Sequence, residues 1–412
     1  PLVSLGMYEA VFRFAMDRER DTRRTLTTGL FMTLAGAGVL TGLLPLLCKI
    51  EYFDGYFILI YLYVLCSSVH YLVSRYSRAI GQNTLFAVQG IISTALNVGF
   101  NILFLVGFDM GVAGYVLSVI IADFLTTVFL FLRLALWKSI GFKHFDRKLL
   151  GEMLKYSVPL IPTTVFWWVT NVADRYIIRG VLGDEINGLY AAAFKIPTIL
   201  LLLSSVFTEA WQFSAVTERD EGKSEHAEFF SVVFNSFQGM LFISASVLIA
   251  FSQLFARILF APSYFEAWRY MPLLITATVY SSLVTFMGSV YLVDKKSMLS
   301  FVTAFVGAAV NMVLNVALIG PMGANGAALA TFICYLIVYV IRAVTTKKMI
   351  PFKQYPVKVA VNTAIILTQS VFLIFELPLM YLVQFIGAVL IFALNAKPIL
   401  GGVAKVLKKV KR

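Results

Sequence analysis

The sequence predicts an all-α polytopic membrane protein: two pseudo-symmetric helical lobes made from six-helix repeats, the first one truncated, plus a C-terminal helix pair. Hydrophobic residues make up 59% of the 412 residues and charged residues 14%, whereas soluble domains have about 45–50% and about 25%. The apolar runs last roughly 20 residues, which is the length of a spanning helix and twice that of a barrel strand. These two features exclude a soluble globule and a β-barrel, and an internal repeat divides the chain into lobes.

Twelve apolar segments near spanning length follow one another along the chain. Three prolines fall within these segments: Pro159, Pro162 and Pro197. Because proline removes a backbone hydrogen bond, we expect the helices to be kinked or broken there. The segments are residues 26–47, 55–73, 85–106, 112–136, 154–172, 186–213, 229–251, 271–293, 298–319, 324–344, 357–375 and 377–394.

The positive charge is concentrated in alternate loops. The chain has a formal net charge of +12, and almost all of its 34 Lys and Arg lie in one set of loops and the C-terminal tail. This asymmetry predicts that those loops and the C-terminus are cytoplasmic. Anionic lipid headgroups attract such loops, so membrane lipids account for the charge without a nucleic-acid partner. The exceptions are Lys49, Arg175, Arg179, Lys195, Arg257 and Arg269.

The chain contains a long internal repeat. Asn97 and Asn101 lie four residues apart and are followed by a glycine-rich turn, and the same pattern recurs 214 positions later at Asn311 and Asn315. A repeat of this length indicates two parallel six-helix lobes, with substrate near the lobe interface. Projecting the second lobe back places nearly two helices before residue 1, so the repeat predicts that the chain is a fragment. The predicted parts are residues 1–147, 148–350 and 351–412.

Charged residues cluster around one helical hairpin in the second lobe. Asn171, Asp174 and Arg175 share one broad face of a helix because of their spacing, and Lys195 lies in the next helix. A charge at bilayer depth costs about 2.5–3.5 kcal/mol on insertion scales, so such groups face a protein interior or a watery cavity. The hairpin therefore suggests a polar chamber inside the protein.

Three stretches resemble the polysaccharide and oligosaccharide flippases of the multidrug, oligosaccharidyl-lipid and polysaccharide exporter superfamily. The most specific is Asp174-Arg175-Tyr176 followed by a helix with Gly188-Leu-Tyr-Ala-Ala-Ala-Phe-Lys195. Ser4-Leu-Gly6 with Val-Phe-Arg13-Phe resembles the end of their second helix, and the stretch from Gly323 to Thr331 resembles their twelfth. The likeness covers helices three to fourteen of a fourteen-helix plan, and the first two helices are lacking.

The resemblance implies a flippase that moves polyprenyl-pyrophosphate-linked oligosaccharide from the cytoplasmic to the outer leaflet by alternating access. It implies a location in a bacterial or archaeal cell membrane, with the lipid-linked oligosaccharide as substrate and glycan polymerases and glycosyltransferases as partners. A multidrug exporter or a cell-wall-precursor exporter of the same superfamily is the nearest alternative. A membrane polysaccharide polymerase is a further one, although the chain has no large outer loop for its catalytic residues.

The substrate site is expected in the hairpin. Lys195 is a compact cation that could hold a pyrophosphate, and Arg175, Asp174 and Asn171 would line the same chamber. The alternatives are an Asp174–Arg175 pair that holds a helix end and an ion pair between Lys195 and Asp174. Arg13, at the cytoplasmic end of the first helix, would meet the phosphate on entry or be an ordinary loop charge.

Two carboxylates are candidates for H⁺ or Na⁺ coupling. Glu209 follows Lys195 by fourteen residues, close to four helical turns, and Asp123 lies alone in an apolar helix a turn before Thr126 and Thr127. The alternatives are a cap or salt bridge for Glu209 and an interhelix hydrogen bond for Asp123, and the Asn pairs are expected to bond helices in the same way. No P-loop, Rossmann fingerprint or catalytic motif is present, so we expect neither enzymatic activity nor a cofactor.

Overall fold

The computed structural model describes residues 2–17, 19–47, 56–217 and 223–410. Arg18, Lys49 and Arg219, which enter the charge pattern of the sequence, lie outside the described residues. The chain divides into two compact units, Pro1–Pro162 and Thr163–Arg412. Each unit is described by itself below.

Unit 1 is a bundle of helices with short connections. Its first helix, α1, is buried along most of its length and packs against α2, α3 and α6. The α3, α4 and α5 helices pack against one another, and a π-helical turn at Ile102–Gly107 continues α4. The helices are α1 (Met7–Ala15), α2 (Thr22–Leu47), α3 (Phe57–Ala79), α4 (Asn83–Asn101), α5 (Gly111–Arg133) and α6 (Arg147–Ser157).

The α6 helix belongs with unit 1 because it is amphipathic. It buries Leu149, Met153 and Tyr156 against α1 and α2. Its N-cap, Asp146, accepts hydrogen bonds from the backbone N–H groups of Lys148 and Leu149, which satisfies two donors of the first turn. The lobe boundary expected at residue 147 therefore lies at the start of α6, whereas the compact units divide after it.

Unit 2 is the larger bundle, and α12 is its central helix. Nearly every residue of α12 is buried, because α9, α10, α14 and α15 all pack on it. The helices are α7 (Leu160–Leu182, which begins in the last residues of unit 1), α8 (Asp184–Ala193), α9 (Lys195–Thr217), α10 (Lys223–Ala250), α11 (Ser252–Leu259), α12 (Met271–Val293), α13 (Ser297–Met322), α14 (Ala324–Met349), α15 (Pro356–Ile374) and α16 (Met380–Val410).

An aromatic cluster forms the core of unit 2. The rings of Trp211 and Phe286 stack with 4.3 Å between centroids and 6° between planes. Phe230, Phe234 and Phe237 of α10 are fully buried around the same Phe286 ring. Aromatic side chains bury much apolar area in few rotamers, so this cluster fixes α9, α10 and α12 together.

The prolines break two helices, as predicted. The expected segment at 154–172 is divided between α6, which ends at Ser157, and α7, which begins at Leu160 on the far side of Pro159. The expected segment at 186–213 is divided at Phe194, between α8 and α9, three residues before Pro197. Proline has no N–H to donate to the preceding turn, so a continuous helix would leave a carbonyl unpaired at each position.

The C-terminal helix pair is joined by reciprocal hydrogen bonds that side-chain amides donate. Gln369 Nε2 donates to the Gln384 carbonyl at 3.0 Å, and Gln384 Nε2 donates to the Gln369 carbonyl at 2.9 Å. Further along, Asn395 Nδ2 donates to Asn362 Oδ1 at 3.0 Å, and Asn362 Nδ2 donates back at 3.3 Å. Gly387 makes room for this arrangement, because a Cβ there would lie 2.7 Å from Gln369 Cδ.

The described residues contain eleven helical stretches long and apolar enough to span a membrane. The twelfth expected segment, 154–172, is not among them, because its helix, α7, carries Asn171, Asp174 and Arg175 and is too polar on average. The predicted fold class, an all-α polytopic membrane protein with two helical lobes and a C-terminal helix pair, is confirmed.

Candidate functional site

The Asp174 carboxylate lies at the centre of a polar network inside unit 2. Only 2% of the residue is exposed. Asn315 Nδ2 on α13 donates to its Oδ1 at 2.6 Å, and Thr331 Oγ1 on α14 donates to its Oδ2 at 2.7 Å. The hydroxyl of Tyr190 on α8 donates to Oδ2 at 3.1 Å. One carboxylate thus connects four helices.

Asn311 forms a second layer of this network. Its Nδ2 donates to Thr331 Oγ1 at 3.1 Å, which leaves the Thr331 hydroxyl proton for Asp174. Its Oδ1 accepts from Asn315 Nδ2 at 3.0 Å. The donors therefore point toward the carboxylate, and Asp174 acts as an acceptor at both oxygens.

Local backbone features bring these residues together. Gly183 has φ +90°, a left-handed conformation that glycine adopts without a Cβ clash, and it lets α8 turn back after α7 so that Tyr190 reaches Asp174. The turn between α13 and α14 depends on Gly323, with φ +61°. At Gly326, in the first turn of α14, a Cβ would lie 2.2 Å from the Leu318 carbonyl oxygen, so only glycine allows this close approach.

The two cations of the hairpin have different surroundings from Asp174. Arg175 and Lys195 are exposed, although Arg175 follows Asp174 directly in sequence. The Arg175 guanidinium lies over the ring of Phe194 at 5.5 Å, and Phe194 directly precedes Lys195. Of the two residues predicted to share a face, Asp174 is thus enclosed and Arg175 is exposed. Among the described residues, Asp174 accepts hydrogen bonds from neutral groups rather than from either cation.

Asn171 and Glu209, the other predicted residues of unit 2, lie on exposed faces. Asn171 Nδ2 donates to the Trp167 carbonyl at 2.7 Å, and its Oδ1 accepts a long hydrogen bond from the Tyr335 hydroxyl at 3.4 Å. Glu209 is on α9, the continuous helix that begins at Lys195. Asn171 therefore borders the polar network without joining Asp174.

Asp123 is the buried carboxylate of unit 1. Ser67 Oγ on α3 donates to its Oδ2 at 2.5 Å, and His70 Nε2 on the same helix lies 4.0 Å from its Oδ1. Thr127 contacts the other ring nitrogen of His70 at 3.4 Å. The interhelix hydrogen bond expected for Asp123 is present, and it joins α3 to α5.

A cavity of about 420 Å³ lies beside Asp123 in unit 1. It is lined by Tyr8, Glu9, Tyr71 and Arg75 among others. Ser67 also lines it, so one hydroxyl connects the cavity to the Asp123 carboxylate.

Arg13 is fully buried in unit 1. Its guanidinium forms an ion pair with Asp17 at 2.5 Å, and Arg20 lies between Asp17, at 3.3 Å, and Glu152 of α6, at 2.7 Å. Arg13 is therefore a buried group with a carboxylate partner and not the ordinary loop charge that was one of its two alternatives. A phosphate could reach it only after the local packing opened.

Sequence analysis missed the partners of both carboxylates. Asn315 was visible as part of the repeat, but no sequence spacing connects it to Asp174, because the two are 141 residues apart. His70 lacks ligand spacing in sequence and lies beside Asp123 only through the packing of α3 on α5. Among the described residues, no group of three or more His, Cys, Asp or Glu side chains could hold a metal ion.

No protein-family model and no curated protein sequence matches the chain. The solved structures do. An outward-facing multidrug resistance MATE family transporter of the MOP superfamily aligns with TM-score 0.69 and 12% identity over 85% of this chain and 83% of that one. The Vibrio cholerae MATE transporter VcmN in its bent form aligns with TM-score 0.70 and 13% identity over 85% and 86%.

A MOP superfamily transporter from Pyrococcus furiosus, described as having a binding pocket of reversed polarity, aligns with TM-score 0.70 and 12% identity over 85% of this chain and 83% of that chain. The three likenesses define the class of fold: the helical architecture of MOP superfamily transporters. At 12–13% identity they establish that shared fold and no more.

Proposed function

We propose that this protein is a transporter that moves a polyprenyl-pyrophosphate-linked oligosaccharide from the cytoplasmic to the outer leaflet by alternating access. The helical architecture of MOP superfamily transporters supports the transport class. The cationic hairpin of unit 2 and its resemblance to the flippase hairpin support the substrate class.

The exposed cations of the hairpin carry the proposal. Arg175 of α7 and Lys195 of α9 are exposed cations, whereas Asp174 is enclosed by neutral donors. A pyrophosphate is an anion that a guanidinium and an ammonium can bind together. Asp174 then acts by holding α7, α8, α13 and α14 in place, and Asn171 borders the site. Arg13, Asp123 and Glu209 stay proposals for phosphate entry and ion coupling.

The test is Lys195→Ala in the full-length protein. We expect surface glycan to fall about tenfold or more, because a charged hydrogen-bonding group contributes about 1.5–3 kcal/mol. Membrane abundance should be unchanged, since Lys195 is exposed and forms no ion pair among the described residues. Normal glycan export from a normally abundant variant would contradict the substrate site.

Arg179→Ala is the matched control. Arg179 lies on the same hairpin and is also exposed, but its guanidinium forms an ion pair with Asp184 at 2.7 Å. Exposed ion pairs contribute about 0–1 kcal/mol, so abundance and export should both be close to wild type. An equal loss in both variants would indicate a general effect of charge on insertion rather than a substrate contact.

Multidrug export is the second candidate function, and the fold favours it because one similar structure is a multidrug resistance transporter. The two functions give opposite results in one pair of assays. Expression in a drug-sensitive host should raise resistance if the protein exports drugs. Deletion of the gene in its own host should remove surface glycan if the protein is a flippase.

A further inference from the structure

We propose that the connection between α5 and α6 is a docking surface for anionic phospholipids of the phosphatidylglycerol class. The lipids would belong to the leaflet that the charge asymmetry predicts to be cytoplasmic. Residues 136–148 form this connection and are called the aromatic–basic segment below; they read Leu-Trp-Lys-Ser-Ile-Gly-Phe-Lys-His-Phe-Asp-Arg-Lys. The inference does not depend on the identity of the transported substrate.

Two hydrogen bonds hold the aromatic–basic segment against α2. Thr27 Oγ1 donates to the Ser139 carbonyl at 3.0 Å, and the backbone N–H of Asp146 donates to Thr28 Oγ1 at 3.2 Å. Both threonines are fully buried, and so is Leu136 at the start of the segment. The segment therefore has a fixed position beside α2, which is set by buried contacts at both of its ends.

The middle of the segment lies further along α2 than its two ends. The rings of Phe142 and Phe145 contact the Phe31 ring of α2, with 4.8 and 6.0 Å between centroids. Phe31 is three residues beyond Thr28, which corresponds to about 4.5 Å along the helix axis. The stretch Thr22–Leu44 of α2 is long and apolar enough to span a membrane. The middle of the segment therefore turns toward the bilayer interior.

Two aromatic side chains of the segment are largely uncovered by protein. Phe142 is 84% exposed, more than any other large apolar side chain of the described residues, and Trp137 is 51% exposed. Aromatic rings at the edge of a bilayer lie at the level of the headgroups, where lipid covers them. Phe352, in the connection between α14 and α15, is instead buried against protein. Exposed rings thus distinguish the aromatic–basic segment from that other basic connection.

The segment carries an excess of positive charge. Its one carboxylate, Asp146, caps α6 and lies 3.7 Å from Arg24 of α2. No salt bridge occupies the exposed cations of the segment within the part of the chain that the structure describes. Each cation near an anionic membrane surface raises the affinity about fivefold, so the segment favours an anionic lipid over a zwitterionic one. These cations are Lys138, Lys143, Arg147 and Lys148.

The test is native mass spectrometry of the full-length, delipidated protein in detergent. The protein is titrated with phosphatidylglycerol or with phosphatidylcholine of the same acyl chains. We expect phosphatidylglycerol to bind about tenfold more tightly or better. Soluble glycerol phosphate has no acyl chains to cover the rings and should not displace it. Equal affinities for the two lipids, or displacement by glycerol phosphate at the same concentration, would overturn the proposal.

Two double variants locate the bound lipid. Lys143→Gln with Lys148→Gln should weaken phosphatidylglycerol binding about 25-fold, because each lysine contributes about fivefold. Lys347→Gln with Lys348→Gln is the matched control, since it removes the same charge from an exposed pair at the end of α14, close to the buried Phe352. The control should bind as the wild type does. Equal losses in the two double variants would show a general effect of charge and overturn the assignment.

Phe142→Ser tests the contribution of the exposed ring. It should weaken phosphatidylglycerol binding about tenfold or more, because the variant loses the burial of a phenylalanine side chain in lipid. The preference for phosphatidylglycerol over phosphatidylcholine should remain, since the cations are unchanged. The Tm should change little, because the side chain is exposed. Wild-type affinity in this variant would show that the ring does not enter the lipid and would overturn the docking geometry.

Discussion

Two asparagine pairs occupy matching positions in the two units, and their surroundings differ. In unit 1, Asn101 Nδ2 donates to Asn97 Oδ1 at 2.7 Å, and Ser118 Oγ donates to Asn101 Oδ1 at 3.0 Å. In unit 2, Asn315 Nδ2 donates to Asn311 Oδ1 in the same way, but the hydroxyl of the next helix, Thr331 Oγ1, accepts from Asn311 Nδ2 instead of donating to the second asparagine. The repeat seen in sequence is thus repeated as a pattern of hydrogen bonds between consecutive helices.

The difference between the two pairs is a carboxylate. In unit 2, Asp174 adds a charge and both asparagines are fully buried, whereas Asn97 and Asn101 of unit 1 are only half-buried. The helix after Asn101 changes to a π-helical turn, but α13 continues as an α-helix to Met322. The same residue types therefore bind helices together in one unit and enclose an anion in the other.

The largest effect is expected between alanine substitutions of the glycines that follow the two Asn pairs. Gly326→Ala should cost about 3 kcal/mol or more, because its Cβ would overlap the Leu318 backbone oxygen at 2.2 Å and the backbone must move. Gly114→Ala should cost about 1 kcal/mol, since its Cβ would lie 2.9 Å from the Met110 Cβ and 3.0 Å from the Phe104 Cβ, contacts longer than the 2.2 Å at Gly326. The measurement is the Tm of each variant in detergent. Gly320→Ala, with open space around the added Cβ, is the control and should not destabilise.

The second effect is the difference between alanine substitutions of the asparagines themselves. Asn315→Ala should cost about 2–3 kcal/mol because it removes a donor from a buried carboxylate. Asn101→Ala should cost about 0.6 kcal/mol, the average for a neutral hydrogen bond between membrane helices. Equal losses of Tm would show that the carboxylate does not distinguish the two networks.

An effect smaller than the loss of Asn315 is expected at Asp146, a half-buried cap away from both asparagine pairs. Hydrogen bonds from the backbone N–H groups of Leu149 and Lys148 hold the pKa of this carboxyl below its usual range. Its stabilisation is therefore present above the unfolded pKa of about 3.9 and is lost as pH falls through the lower folded pKa. At pH 7, Asp146→Ala should cost about 1 kcal/mol.

The measurement for Asp146 is the Tm difference between wild type and variant across the acid range. That difference should shrink below pH 4 and be constant between pH 6 and 8. A difference that is independent of pH down to pH 2.5 would show that the cap acts through something other than the ionised carboxylate.

The fold could be predicted from sequence because its signals are local. Apolar run length fixes the spanning helices, and Pro159 and Pro197 mark the broken ones by the donor they lack. The repeat could be recognised from the two Asn pairs because both residues of each pair lie on one helix. None of these features depends on which helices pack against one another.

The surroundings of the charges could not be predicted in this way. Asp174 and Arg175 are adjacent in sequence, yet a rotation of about 100° per residue encloses one and exposes the other. Which of the two faces the neighbouring helices is decided by the packing of α7 on α13 and α14. Arg13 is similar: its ion pair with Asp17 is local, but its full burial depends on α3 and α6.

The reciprocal amides of α15 and α16 specify how these two helices align. A slip of one residue would move α16 by about 1.5 Å and rotate it by about 100°. Such a slip would break the hydrogen bonds of both residue pairs, Gln369 with Gln384 and Asn362 with Asn395. Four side-chain amides would then be left without partners among apolar side chains. A misaligned helix pair would therefore lose hydrogen bonds at two levels along the helices, so this largely apolar pair has a single register.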